Sequence, residues 1–332
     1  MLLLKDMTVG QADKVAEKVI EMFLRESVVL QDLPFDNAVS PNGGSTLVYG
    51  YIQEKLPSKA AFRAIGSEYT PSNATVKELN TILKIFGGSF QIDRVLKSIE
   101  SKIENMDRQV RQKILAAVQL FHDTMINGDT ASNSLGFDGL DKFLVGTSTE
   151  LNTDNYIDLS TDETLKANAS KFYEMLRILI NKTNADALYV NEDMKTKIES
   201  VAMYLGYKTE SEEAFGVTVT KIGKVKITDL KNKVEISGDG DSATATEKPI
   251  IEIKKRTLNE KEITGLTDIY SVRYSIDDGF CGVTITGDKA IEAYLPDFKE
   301  PGAVKTGEVE MVAAVALKNS KSAGVLRNIK IV

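Results

Sequence analysis

The sequence predicts an α+β fold, and three observations carry that prediction. An apolar stripe of helical period runs from Leu96 to Met125 without glycine or proline. β-prone runs flank a turn-rich tip just before it, and strand-like alternation dominates beyond Gly206. At 332 residues the chain is long enough for two domains or one elaborated domain, and a hydrophobic content of 42% suits a real core.

The elements follow in order. Thr8 and Gln11 have capping-box spacing, and Ala12, Val15, Ala16, Val19, Met22 and Phe23 continue at helical period, so an amphipathic helix of about four turns is expected. The segment from Phe35 to Ser45, rich in Asn, Pro and Gly, reads as a loop. Thr46 to Tyr51, Ala60 to Ile65 and Val76 to Ile92 read as strands, with the last two closing a long hairpin around the tip Gly66 to Asn73. Gly87 and Gly88 predict a bulge or bend in the returning strand. An isolated two-stranded hairpin is marginal in water, so this one must rest on another surface.

The stripe through Leu96, Ile103, Val110, Ile114, Phe121 and Met125 predicts a helix of about 30 residues and about 45 Å, stopped at Gly128. Ser160 with Glu163 marks the start of a second helix carrying Leu165, Phe172, Leu176 and Leu179. Ala185 to Val190 reads as a buried strand. Asn191 then caps a third helix closed by Gly206. Strands are expected around Val217 and Val219, Val225 and Ile227, Ile250 to Ile253, Tyr270 to Tyr274, and Val309 to Leu317, with Ser237 to Lys248 as a mobile surface loop.

Composition narrows the function. The 48 acidic residues outnumber the 41 basic ones, and the net charge of −7 disfavours a dedicated nucleic-acid reader or an anionic-membrane binder. No stretch approaches the roughly 18 apolar residues of a membrane span. One cysteine, Cys281, excludes an intrachain disulfide, and with a single histidine it cannot build a structural zinc site.

The search for chemistry returns ordinary structural readings. His122 lies within the long helix and reads as a satisfied structural histidine, and Cys281 reads as a small buried hydrophobe. Gly238 to Ala243 formally matches a dinucleotide fingerprint, but its two aspartates would repel a pyrophosphate and no amphipathic helix follows. Asp277 with Asp278 and Glu212 with Glu213 read as solvated carboxylates, and Lys254-Lys255-Arg256 as a solvated strand edge. No catalytic, cofactor-binding or metal-ligating residue is assigned.

Several segments together are similar to the major capsid proteins of tailed phages, the Hong Kong phage-type fold shared in outline with encapsulins. They are AAFRAIGSEY (60–69), LKIFGGSFQIDRV (83–95), FHDTMINGD (121–129), FDGL (137–140), YLPDF (294–298) and GEVEMVAA (307–314). The resemblance spans nearly the whole chain and implies an N-terminal arm (1–45), then a peripheral domain beginning at 46–149. That stretch would hold an extended hairpin, the E-loop (about 56–92), and a spine helix (about 94–127). An axial α/β domain (150–300) and a return to the peripheral domain (301–332) would follow.

It further implies a structural subunit of an icosahedral or prolate phage head, built of pentamers and hexamers around double-stranded DNA that is not read by sequence. Scaffolding and portal proteins would be partners, with decoration proteins as further candidates, and the site would be the virion, assembled in the bacterial cytoplasm. Many relatives carry a long N-terminal scaffolding extension. This chain reaches its first helix almost at once, so the scaffold is expected to be a separate protein or a removed segment. The side chains implied for intersubunit contact are Val19, Phe23, Phe62, Arg63, Ile65, Tyr69, Ile82, Ile85 and Phe90. The alternatives are an encapsulin-like compartment, told apart by its cargo, and a cytoplasmic enzyme, which would need convergent polar groups.

Overall fold

The computed structural model describes residues 21–23, 25–40, 43–56, 58–73, 75–94, 103–207, 210–214, 217–238, 244–285, 291–297 and 301–332. The capping pair Thr8 and Gln11, the helical positions as far as Val19, and the start of the long stripe at Leu96 and Ile99 lie outside these residues.

The chain enters through a short helix, α1 (Val28–Asp32), capped by Ser27, and strand β1 (Phe35–Ala38). β2 (Val48–Leu56) and β3 (Thr75–Ile82) form a hairpin, and β4 (Lys84–Asp93) leads to the long helix α2 (Ile103–Asn127). Next come α3 (Leu140–Leu144), β5 (Glu150–Leu151), β6 (Ile157–Asp158), α4 (Asp162–Thr183), β7 (Ala187–Val190) and α5 (Glu192–Tyr204). The remainder is β-rich: β8 (Glu210–Ala214), β9 (Val217–Ile222), β10 (Val225–Asp229), β11 (Asn232–Ser237), β12 (Thr244–Pro249) and β13 (Lys254–Leu258). It closes with β14 (Lys261–Val272), β15 (Phe280–Ile285), β16 (Ile291–Tyr294), β17 (Val304–Leu317) and β18 (Ala323–Lys330).

Among the described residues two sheets organise the molecule. A five-stranded sheet runs β1-β15-β17-β16, with β4 along the other edge of β17. A nine-stranded sheet runs β5-β18-β14-β7-β10-β9-β8, with β13 on β14 and β6 on β18. α2 packs on the first sheet through Val110, Ile114, Ala117, Phe121 and Met125, all buried, each large side chain contributing roughly 1.5–3 kcal/mol by leaving water. α4 and α5 cover one face of the second sheet. β7 is buried on both faces, Ala187 and Tyr189 toward the α2 core, Leu188 and Val190 toward the α4–α5 core.

Several expectations hold. The long helix ends at Asn127, Asn191 caps α5 by accepting from the Met194 amide at 2.8 Å, and Gly206 takes a left-handed φ of +77° just past that helix.

Others need correction. The hairpin pairs β2 with β3, from Val48 opposite Ile82 to Leu56 opposite Thr75, so Ala60 to Ile65 belongs to its tip and is not a strand. β4 instead pairs with β17 in unbroken register from Lys84 to Asp93, so Gly87 and Gly88 make no bulge. Thr161 with Thr164, one residue on from the expected pair, forms the capping box of α4. Phe35 to Ala38 is a strand, parallel to β15, because its backbone finds a partner some 250 residues away. Ile250 to Ile253 is buried at its first two residues but joins no ladder, and Ser237 to Lys248 includes the ladder of the β11–β12 hairpin. β18 lies in the nine-stranded sheet, so of the two closing strands only β17 joins the sheet under α2. Finally, Phe23 (0% exposed) and Phe90 (6%) are buried within this chain and are withdrawn as intersubunit contacts, since a side chain already in its own core has no area left to offer.

Candidate assembly surface

The β2–β3 hairpin is bolted at its root and bare beyond it. At the root, the Tyr49 hydroxyl donates to Asp36, which also takes the Lys318 ammonium at 3.0 Å, and that ammonium lies 5.3 Å from the centre of the Tyr49 ring. Gln53 Nε2 donates to the Leu317 carbonyl at 2.9 Å, and the Leu83 amide to the Leu47 carbonyl at 2.8 Å. Burial, reinforced by the bond to Asp36, pushes the Tyr49 hydroxyl up to about 12. Burial works against ionised Asp36, but the bonds from Tyr49 and Lys318 outweigh it and hold the carboxyl below its usual range.

Strand alternation then sorts the side chains. Tyr49, Tyr51, Leu79 and Thr81 turn toward the body of the protein, whereas Val48, Ile52, Val76 and Ile82 point away and are exposed. The parity of burial flips at Leu83–Lys84: Phe86 and Phe90 turn inward on β4, and Ile85 turns out. At the tip, Phe62 and Ile65 are fully exposed and Tyr69 largely so. Arg63 organises the tip, donating to the Ser67 carbonyl at 3.2 Å and lying 5.3 Å from the centre of the Tyr69 ring, while the Ser67 amide closes a turn on the Ala64 carbonyl at 3.1 Å.

Of the nine implied contact residues, five are therefore brought onto this projection, Phe62, Arg63, Ile65, Tyr69 and Ile82, while Ile85 is exposed on β4 in the five-stranded sheet. Val19 lies outside the described residues. Val48, Ile52 and Val76 share the exposed face of the hairpin, which odd–even alternation read against the paired strand would have found.

Several of the other polar groups singled out in the sequence are engaged in structure. Cys281 is fully buried, and burial pushes its thiol up to about 12. Asp278 pairs with Arg273 at 2.9 Å. Arg256, expected on a solvated edge, instead grips buried Asp268 through both guanidinium nitrogens at 2.7 and 2.5 Å and reaches Asn328 at 2.7 Å. Arg327 joins the same cluster from β18, contacting Asp268 at 3.1 Å, Glu150 at 2.9 Å and Asp141. Among the described residues no group of three or more His, Cys, Asp and Glu side chains is placed to hold a metal ion. Nor is any helix among them long and apolar enough to cross a membrane.

A long spine helix on one sheet, a helix-covered second sheet and a projecting hairpin are together the Hong Kong phage-type capsid fold, the class of shell-protein fold to which this chain's architecture belongs. Among solved structures it is similar to the encapsulin complex of Synechococcus elongatus, at 11% identity and a TM-score of 0.58, covering 91% of this chain and 87% of that one. A chain of Mycobacterium phage Bobi matches at 11% identity and 0.53, covering 91% and 90%, and the capsid of an empty GTA particle at 10% and 0.52, covering 92% and 90%. No family model and no curated protein matches the sequence.

Proposed function

We propose that this protein is the structural subunit of a phage-type head, a shell-building protein without a catalytic site. It self-assembles through pentamers and hexamers into an icosahedral or prolate container. The observation that carries this reading is the hairpin: an anchored root bearing an apolar face and tip that the described residues leave uncovered. Burying Phe62 and Ile65 against a neighbour would be worth roughly 1.5–3 kcal/mol each. Repeated head-to-tail contacts of that kind close into rings when the rotation fits, and rings tile a shell.

The contained genome would be double-stranded DNA. A wall with a net charge of −7 binds DNA weakly, which suits a container that must fill and empty. Scaffolding protein, portal and decoration proteins are the partners this role calls for, with assembly in the bacterial cytoplasm and the finished subunit in the virion. Negative-stain microscopy of purified protein tests the reading. Closed particles are expected from the full chain, and a folded subunit without particles from a variant lacking Ser67 to Ser72. A full-length protein that stays monomeric at high concentration, with its hairpin folded back over its own body, would refute it.

A second reading, an encapsulin-like compartment, is favoured by the 0.58 TM-score to the Synechococcus elongatus complex. Particles purified from a native source separate the two: nucleic acid inside supports the phage head, a protein cargo the compartment.

A further inference from the structure

The chain's single histidine, His122, sits 5% exposed where three elements meet. It stands on α2, Ser27 faces it from the leading segment, and the residues following β10 close the far side. Ser27 Oγ accepts from the Leu30 amide at 3.0 Å and lies 2.7 Å from His122 Nε2, to which its own proton is free to go. A backbone hydrogen bond with Leu230 favours the charged ring, as a bond to a carbonyl does, which makes the ring a donor on that side. The ring is thus neutral, acceptor to the leading segment and donor to the β10 side, a tautomer assigned from its partners.

A cavity of about 180 Å³ adjoins the ring. The charged groups around the junction are Glu26 from the leading segment, Lys195 from α5, and Asp229 and Lys231 from the end of β10 and the turn after it. Arg111 holds Glu26 at 2.9 Å. On α2 itself Asp123 is held by Lys233 of β11 at 3.1 Å, and at the end of α1 Asp32 is held by Lys226 at 2.7 Å.

We propose that His122 is an acid-sensitive latch, whose protonation releases the leading segment, Ser27 to Leu33, from the spine helix. A proton on Nε2 turns the ring's acceptor into a donor against the hydroxyl that was donating to it. It also places a positive charge in a nearly dry site that already has Lys231 at its rim. Burial, with Lys231 adding to it, holds the docked imidazole down at about 4. A released ring returns to about 6.5.

The docked pKa is the lower one, so docking is strongest above about 6.5, weakens as pH falls from there, and levels off below about 4, a span worth about 300-fold in the opening equilibrium. Val29, Leu30 and Leu33 are buried when the latch is closed, so the open state is a minor one whose population acid raises. This inference stands whether or not the chain builds shells.

The test is backbone hydrogen exchange of residues 30–33, corrected for intrinsic pH dependence, from pH 7.5 to 4.5 in the full chain and in His122→Gln. Opening in the unaltered protein should rise roughly 50- to 100-fold over that interval. His122→Gln, which keeps every carboxylate, should stay nearly flat. Parallel curves, or an unaltered protein with no rise, would overturn the latch. If His122→Gln does not fold, deuterium exchange at the imidazole C2 of the unaltered protein decides: a midpoint near 4 supports the latch, and one near 6.5 overturns it.

Discussion

A Cβ placed on Gly87 would stand 1.9 Å from the carbonyl oxygen of Val309, a distance no side-chain carbon tolerates. β4 and β17 therefore meet at a separation that only glycine permits, in the sheet that carries both the hairpin and the spine helix. Gly87→Ala should cost about 3 kcal/mol, the upper range of overpacking, because the obstacle is backbone. Gly88→Ala, whose Cβ meets the flexible Lys113 side chain at 3.0 Å, should cost well under half as much. Chemical denaturation of the two variants side by side checks the contrast.

Asp268 on β14 is the charge that ties β13 and β18 together within the second sheet. Burial pushes its carboxyl up, but Arg256, then Arg327 and the Asn328 amide, outweigh burial and hold it below the ordinary range. Asp268→Asn should destabilise by about 3–5 kcal/mol by leaving the guanidinium of Arg327 and that of Arg256 short of a counter-charge. A depressed carboxyl contributes stability that is present above its unfolded value of about 3.9 and is lost as pH falls toward the folded value. Denaturant midpoints taken from pH 6 downward should decline in the unaltered protein and decline less in Asp268→Asn.

At the hairpin tip, stability and assembly should separate. Phe62→Ser combined with Ile65→Ser removes only exposed apolar surface, so the subunit's stability should change by no more than about 0.5 kcal/mol. Particle yield by sedimentation should nevertheless fall sharply. Unchanged yield would remove these side chains from the assembly surface.

Cys281 offers a probe of global opening. Fully buried, with its thiol pushed up to about 12, it should resist a thiol reagent at pH 8 in the folded protein and react stoichiometrically in denaturant. Rapid labelling under native conditions would contradict the burial.

What was legible in the sequence was what local chemistry decides. The apolar stripe and Gly128 placed the end of the spine helix, Asn191 and Gly206 framed α5, and the turn-rich stretch around Ser67 marked an exposed tip. Even near misses were local, such as a capping box one residue off at Thr161. The candidate surface was legible where it coincides with that tip, at Phe62, Ile65 and Tyr69, and illegible on Phe90, an aromatic no different in type from Phe62.

The sequence by itself determined the end of the spine helix, the helices α4 and α5, the cap of α5 and the strand-rich C-terminal portion, because these depend on residues within a turn or two of one another. Only the tertiary structure decided that β3 turns back on β2 while β4 joins β17, that β1 completes the sheet beside β15, and that Arg256 pairs with buried Asp268. A strand's hydrogen bonds and a charge's partner are supplied by chain that is distant in sequence, so burial there belongs to the pairing and not to the residue.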